Sequence, residues 1–124
     1  MEAGMVTEWV EVAALRELRR RKKLMVLAGK EQIALFFVDD RVFALRDICI
    51  HKQRNLSKGL IFQGQVICPG HQWAFDLATG WNDEWDRCQP CYPVKVEEDK
   101  VYVRPEQQVR ETRPAPEELH PDRR

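Results

Sequence analysis

The sequence predicts an all-β fold, an antiparallel sandwich or barrel, and three observations carry that reading. Nine short segments are rich in β-branched and aromatic residues, turn signals of one to three residues separate them, and only one stretch has helical periodicity. At 124 residues the chain is long enough for one domain with a modest core and too short for two.

The segments are, in order, "EWVEV" (8–12), "LMVLA" (24–28), "QIALFFV" (32–38), "RVFAL" (41–45), "GLIF" (59–62) and "QVICP" (65–69). "QWAFDL" (72–77), "YPVKVEE" (92–98) and "KVYVR" (100–104) complete the series. Turns fall at Gly29-Lys30, Asp39-Asp40, Gly64, Thr79-Gly80 and Glu98-Asp99, residue types that tolerate left-handed backbone or favour tight turns. In the last pair Tyr92, Val94 and Val96 alternate against Val101 and Val103, as a half-buried hairpin requires. "AALRELRRR" (13–21) is the one helical stretch, with an apolar face of barely two turns. The basic run "RRRKK" (19–23) reads as a solvated loop between the first strand and "LMVLA", since it has neither interleaved aromatics nor a basic domain around it. It could still guide an acidic redox partner.

Beyond Arg104 the composition changes. "PEQQVRETRPAPEELHPDRR" holds four prolines, mixed charge and few large apolar residues, too little to offset the entropy of ordering. The expectation is a domain over residues 1–105 and a disordered tail over 106–124, with His120 a solvated side chain.

The net charge is zero, which gives the whole molecule no electrostatic reason to bind nucleic acid or an anionic membrane. No apolar run approaches the eighteen or so residues that span a bilayer, and "MEAGMVTEWVEV" lacks the basic-then-apolar order of a secretory signal. The chain therefore reads as cytoplasmic. In that compartment four cysteines point to metal or redox chemistry rather than to a disulfide framework.

Four residues carry that chemistry. Cys49 and His51 form a C-x-H clip, Cys68 and His71 a C-x-x-H clip, and sixteen residues separate the two. Each clip follows a strand, so the two loops could meet at one end of a β framework. Zinc is the obvious metal for two cysteines and two histidines and would make this a structural binding module. Its usual order, however, places like ligands in one clip, whereas here each clip is mixed. A two-iron cluster with two thiolates on one iron and two imidazoles on the other explains the mixing directly, because each loop then supplies one ligand to each iron.

"C-I-H", sixteen residues, then "C-P-G-H-Q-W-A-F-D-L-A-T-G" resembles the Rieske [2Fe-2S] motif, and the flanking strands resemble the order of Rieske ferredoxin-type domains from about Trp9 to Arg104. The resemblance implies a Rieske-type antiparallel β-sandwich of three stacked sheets, with a small cluster-binding subdomain over about residues 47–85. It further implies that Cys49 and Cys68 bind the buried iron, and that His51 and His71 bind the outer one. Ile50 stands where many members have Pro, and "KQRNLSKG" departs from the usual continuation. Lys52 and Arg54 would then place positive charge beside the outer histidines.

High-potential members of that family carry a Ser two residues and a Tyr four residues after the last histidine, both donating to sulfur. Trp73 and Phe75 occupy those positions here, so the expected potential lies toward the negative end of the family range of roughly −150 to +300 mV. Those members also carry one extra cysteine in each cluster loop, joined as a disulfide; Asn55 or its neighbours, and Gly70, stand at the corresponding places. Cys88 and Cys91 in "DRCQPCYPV" lie outside the motif; this C-x-x-C could be a redox-active dithiol or half a zinc site, but it lacks a helix N-terminus to lower a thiol pKa and no second thiol clip is free, so the two read as reduced cysteines in a loop before a strand. "WNDEWD" (81–86) reads as a loop whose tryptophans cover the cluster subdomain, with an acidic-aromatic docking surface as the functional alternative.

No nucleophile triad, phosphate loop or nucleotide fingerprint is present, so the chain is not expected to be catalytic alone. What the resemblance implies is one-electron carriage as a low-potential ferredoxin, from a flavin reductase to a terminal oxygenase. The alternative context is the small subunit of an NADH-dependent nitrite reductase, with the large subunit as partner.

Overall fold

The computed structural model describes residues 8–50, 54–70, 72–105 and 114–121. Among these, the chain runs β1 (Val10–Ala14), α1 (Leu15–Arg21), β2 (Lys23–Ala28), β3 (Glu31–Val38) and β4 (Arg41–Arg46). A short helical turn, Leu56–Lys58, leads into β5 (Leu60–Phe62), β6 (Gln65–Ile67) and β7 (Ala74–Asp76). Then follow β8 (Trp81–Asn82), β9 (Arg87–Cys88), β10 (Val94–Glu97), β11 (Lys100–Val103) and a second helical turn, Pro116–Glu118. All-β architecture is borne out, and every pairing between strands is antiparallel.

Three three-stranded sheets form, in the orders β1-β11-β10, β2-β3-β4 and β5-β6-β7, with β8-β9 as a separate hairpin. The β2-β3-β4 sheet is the middle layer, and β3 shows why. Its near-continuous apolar run departs from simple alternation because both faces are covered. Ala34 and Phe36 face a core shared with Leu56, Val66, Phe75 and Leu77, whereas Ile33, Leu35 and Phe37 face a second core with Leu18, Tyr92, Val101 and Val103. Phe36, Ile33 and Leu35 are fully buried, and each such side chain contributes about 1.5–3 kcal/mol of burial free energy.

Turn chemistry behaves as the residue types require. Asp39 and Asp40 have φ of 52° and 61°, and Glu98 and Asp99 have φ of 51° and 66°, the double left-handed geometry that suits the twist of a two-residue hairpin. The register of the last hairpin, Val94 opposite Val103 and Val96 opposite Val101, is the one the alternation predicts.

Three expectations need correction. Helix α1 begins at Leu15, since Ala13 and Ala14 still pair with β11, and Arg19–Arg21 form its last turn rather than a loop. Cations there complement the helix dipole, and Lys22 closes the end with φ 73° and its N–H on Leu18 O at 2.7 Å. The stretch 81–86 contributes strand β8 to a hairpin; two-residue strands are too short to leave a periodic signal. Finally, residues 114–121 are not a solvated tail. His120 is fully buried, its N–H donates to Asp76 Oδ1 at 2.9 Å, and its ring lies 5.4 Å from that of Phe43. Gly64, at φ +79°, leaves the space that ring occupies: a Cβ there would sit 2.6 Å from His120 Nδ1. Low apolar content misjudged this segment because a polar clasp and one ring hold it. The rest of the expected tail, 106–113 and 122–124, lies outside the described residues. No helix among the described residues is long and apolar enough to cross a membrane.

Candidate metal centre

Two loops leave the sandwich side by side, and each begins at a cysteine. In the first, Cys49 N–H donates to Arg54 O at 2.8 Å, next to an antiparallel bridge between Ile48 and Asn55. In the second, Cys68 N–H donates to Trp73 O at 2.7 Å and Gln72 N–H to Cys68 O at 3.1 Å. Each loop is thus closed by a backbone bond from its cysteine to a residue five positions on. The second turns through Gly70 at φ +100°, and Gly70 packs against the Arg54 guanidinium, where a Cβ would stand 3.4 Å from Nε. Arg54 therefore spans the two loops.

Cys49 and Cys68 are both 1% exposed, share one core, and have thiols near enough to influence one another's ionisation; Cys68 Sγ also lies 3.5 Å from Pro69 O. Of the four predicted ligands, the structure brings these two together. His51 and His71 fall in sequence within the two closed loops but lie outside the described residues, as does Lys52. Burial pushes the Cys68 thiol up to about 12; the neighbouring Cys49 thiol adds to the rise, and Arg54 acts in the opposite direction. Two soft donors that are buried in one core, shielded from water and costly to ionise by themselves form a set that a thiophilic, multiply charged metal centre stabilises. The residues present therefore fit such a group.

The loops are braced from outside by polar side chains that sequence reading missed. Asp47, fully buried, accepts from Asn55 Nδ2 at 2.5 Å and from Ser57 N at 2.8 Å, and its carbonyl accepts from Leu56 N at 2.7 Å. Gln89, also fully buried, donates through Nε2 to Arg46 O (2.7 Å) and Ile48 O (2.8 Å) and accepts at Oε1 from Ile50 N (3.0 Å). Its side chain grips the backbone on both sides of Cys49. Asn82 donates to Ala74 O at 2.8 Å and accepts from Trp85 N at 2.6 Å, fixing the hairpin over the second loop. Nothing in "RDICIH" or "RCQPC" marks these roles, because a side chain that caps distant backbone leaves no periodic trace.

The tryptophans of residues 81–86 divide the two readings between them. Trp81 is buried and covers the subdomain, while Trp85 is 53% exposed and stacks on Trp73 at 5.4 Å and 10°. Ile50, Trp73, Trp85 and Arg87 line a groove beside the first loop.

Comparison with known proteins matches residues 8–110 to the family described as the Rieske [2Fe-2S] domain. Among curated proteins, the chain is 31% identical over 109 residues to the anthranilate 1,2-dioxygenase ferredoxin subunit of Burkholderia cepacia, covering 83% of this chain and 97% of that protein. It is 30% identical over 105 residues to the ferredoxin component of the naphthalene 1,2-dioxygenase system of Pseudomonas putida, covering 80% and 97% respectively. Among solved structures, a chain in the complex of reduced oxygenase and oxidised ferredoxin of carbazole 1,9a-dioxygenase superposes with a TM-score of 0.71 at 27% identity, over 80% of this chain and 94% of that one. The ferredoxin of carbazole 1,9a-dioxygenase from Nocardioides aromaticivorans IC177 shares the fold at a TM-score of 0.71 and 24% identity, over 78% of this chain and 97% of that one. With its paired buried cysteines at the meeting of two loops, the chain belongs to the Rieske [2Fe-2S] domain family.

Proposed function

We propose that this protein is a low-potential Rieske-type ferredoxin that carries single electrons from a flavin reductase to a terminal oxygenase. The observation that carries the reading is the burial of Cys49 and Cys68 in one core where two closed loops meet, in a chain whose family binds a [2Fe-2S] cluster. Cys49 and Cys68 hold the inner iron, His51 and His71 the outer one, and residues 47–85 are the cluster-binding subdomain. When bound, the cluster supplies reversible one-electron storage. The chain's own residues do the rest. Asp47 and Gln89 hold the first loop in register, Asn82 and the Trp73–Trp85 stack hold the second, and Arg54 sets a positive charge between them.

The low potential follows from what surrounds the thiols. Phe75 is fully buried in the core that holds both cysteines and Trp73 packs against that core, and neither side chain carries a hydroxyl to donate to sulfur. Family membership also favours the cluster over the zinc reading. The protein's place of action is the cytoplasm, the compartment that keeps cysteines reduced and free to ligate metal.

Iron and acid-labile sulfide analysis with EPR of the reduced protein tests the cluster; a colourless protein with one zinc and no sulfide would end the reading. For the role, NADH-driven reduction through a flavin reductase should support turnover of a terminal oxygenase. Stable co-purification with a large sirohaem-containing subunit, and no transfer to an oxygenase, would show the role to be wrong.

A further inference from the structure

The two cysteines outside the ligand set do not point apart. Cys88 ends β9 opposite Trp81, and Cys91 forms an isolated antiparallel bridge with Leu45. Both sulfurs converge on one atom, the carbonyl oxygen of Thr79, at 3.3 Å from Cys88 and 3.8 Å from Cys91. Both residues are half-buried, and Cys91 lies at a surface depression lined by Phe43, Ala44, Leu77 and Ala78. Two thiols gathered around one acceptor, three positions apart in sequence and half-buried, are neighbours that a short movement of the intervening segment can bring to bonding distance.

Between them stands Gln89, the residue that grips the first loop at Arg46 O, Ile48 O and Ile50 N. Its backbone has no slack. Gln89 N–H donates to Gly80 O at 2.8 Å, and Gly80, at φ +81°, presses so closely on Gln89 that a Cβ there would lie 2.0 Å from Gln89 O.

We propose that Cys88 and Cys91 form a redox-active dithiol, and that its oxidation to a disulfide is transmitted through Gln89 to the loop carrying Cys49. The first half stands on the cysteines alone; the second rests on the cluster reading given above. The chemistry is thiol–disulfide exchange with a low-molecular-weight disulfide such as oxidised glutathione. One cysteine thiolate attacks the reagent, releasing one thiol and forming a mixed disulfide, and the second cysteine displaces the other thiol. One sulfur–sulfur bond forms in the protein as one breaks in the reagent, two electrons pass to the reagent, and the two cysteine protons leave on the released thiols. Both S–H donors to Thr79 O are consumed, and the segment around Gln89 becomes a closed ring.

The test uses the cluster-loaded full chain, equilibrated anaerobically across a series of reduced-to-oxidised glutathione ratios. Peptide mapping reads the cross-link and visible circular dichroism reads the oxidised cluster, with iron and sulfide assayed on the same samples. We expect a Cys88–Cys91 cross-link, seen as the loss of two hydrogens from the peptide holding both, together with a change in the dichroism at constant iron and sulfide. Cys88→Ser should show neither effect, and Gln89→Met should form the cross-link without the dichroism change. Glutathione adducts without a cross-link, or a Cys49–Cys68 cross-link in its place, would overturn the site. A cross-link that leaves the dichroism unchanged would overturn the transmission. Iron-free protein would remove the cluster reading, and the coupling with it, while the mapping on that sample still judges the dithiol.

Discussion

Replacing Gln89 by Met is the sharpest probe of how the first loop is held. The two side chains are close in volume, so the substitution leaves no cavity and removes only polar contacts. Three hydrogen bonds are lost, and Arg46 O, Ile48 O and Ile50 N, on half-buried residues, each lose the partner that the fully buried Gln89 supplied. A typical hydrogen bond contributes a net ~0.5–1.5 kcal/mol, and a buried backbone group left unsatisfied costs ~1–3 kcal/mol, so the loss should be about 2–5 kcal/mol. A domain with about 5–15 kcal/mol of stability survives that, so the variant should fold, with the damage local to the loop. A loss of ~2 kcal/mol already raises the open fraction about 30-fold. Hydrogen exchange at the Cys49 and Ile50 amides should accelerate by at least that factor, and the visible chromophore should bleach correspondingly faster on mild warming. Exchange within a factor of two of the parent, with an unchanged bleaching rate, would show that Gln89 does not position the loop. Gln89→Glu should do worse than Met, because it sets a carboxylate against two carbonyl oxygens.

Gly64→Ala should displace the C-terminal segment, because the new Cβ meets the His120 ring; exchange at residues 114–121 should rise while β3 stays protected. Asp76→Ala strips acceptors from Ala78 N, Thr79 N, Thr79 Oγ1 and His120 N, and should cost about 3 kcal/mol in denaturant titration. Cys68→Ser or His71→Cys should abolish the native cluster spectrum, whereas Cys88→Ser should leave it intact; its loss in the last variant would mean the ligands are misassigned. In the cluster-free chain Cys68 is raised from 9.0 to about 12, so its contribution to stability is complete below pH 9.0 and is lost as pH climbs toward 12. The urea midpoint should fall across that window, and Cys68→Ala should remove that part of the fall; an identical fall in both would refute the assignment.

Sequence legibility followed periodicity and stopped where periodicity does. Long elements such as β3 and the β10–β11 hairpin were readable because side-chain alternation and Asp-rich turns report directly on the backbone. The clips of Cys49 and Cys68 were readable because ligation demands fixed residue types at fixed spacing. Gln89 and Asp47 were not, since their partners lie far along the chain or are backbone atoms that any residue could supply. His120 was misjudged for a related reason. Composition argues that its segment cannot bury enough apolar surface, but one ring over Gly64 and one N–H on Asp76 hold it in place.

The distribution of buried polar side chains makes a further point about design. Asp47, Asp76, Thr79, Asn82, Gln89 and His120 are the buried polar or charged residues among those described. The core between the β1-β11-β10 sheet and the central sheet is held mainly by apolar packing, with the Tyr92 hydroxyl donating to Glu31 Oε1 at 2.8 Å. All six lie around the β5-β6-β7 sheet and its two loops. The reason is physical: short strands, turns and loops leave backbone N–H and C=O groups that need side-chain partners, and Asp47, Asp76, Asn82 and Gln89 bond to such groups at Ser57, Ala78, Ala74 and Ile48. Packing tolerates rearrangement of equal volume, whereas a satisfied buried hydrogen-bond network admits few alternative geometries. A metal centre that must keep its ligands in place through repeated oxidation and reduction gains from the second kind of support. On that argument, core substitutions of equal volume between the outer and central sheets, such as Leu35→Met, should leave the cluster spectrum unchanged at a cost below about 1.5 kcal/mol. An equal-volume change at Asp47, to Asn, should perturb the spectrum even though it is sterically silent; the opposite pattern in the two variants would refute this division of labour.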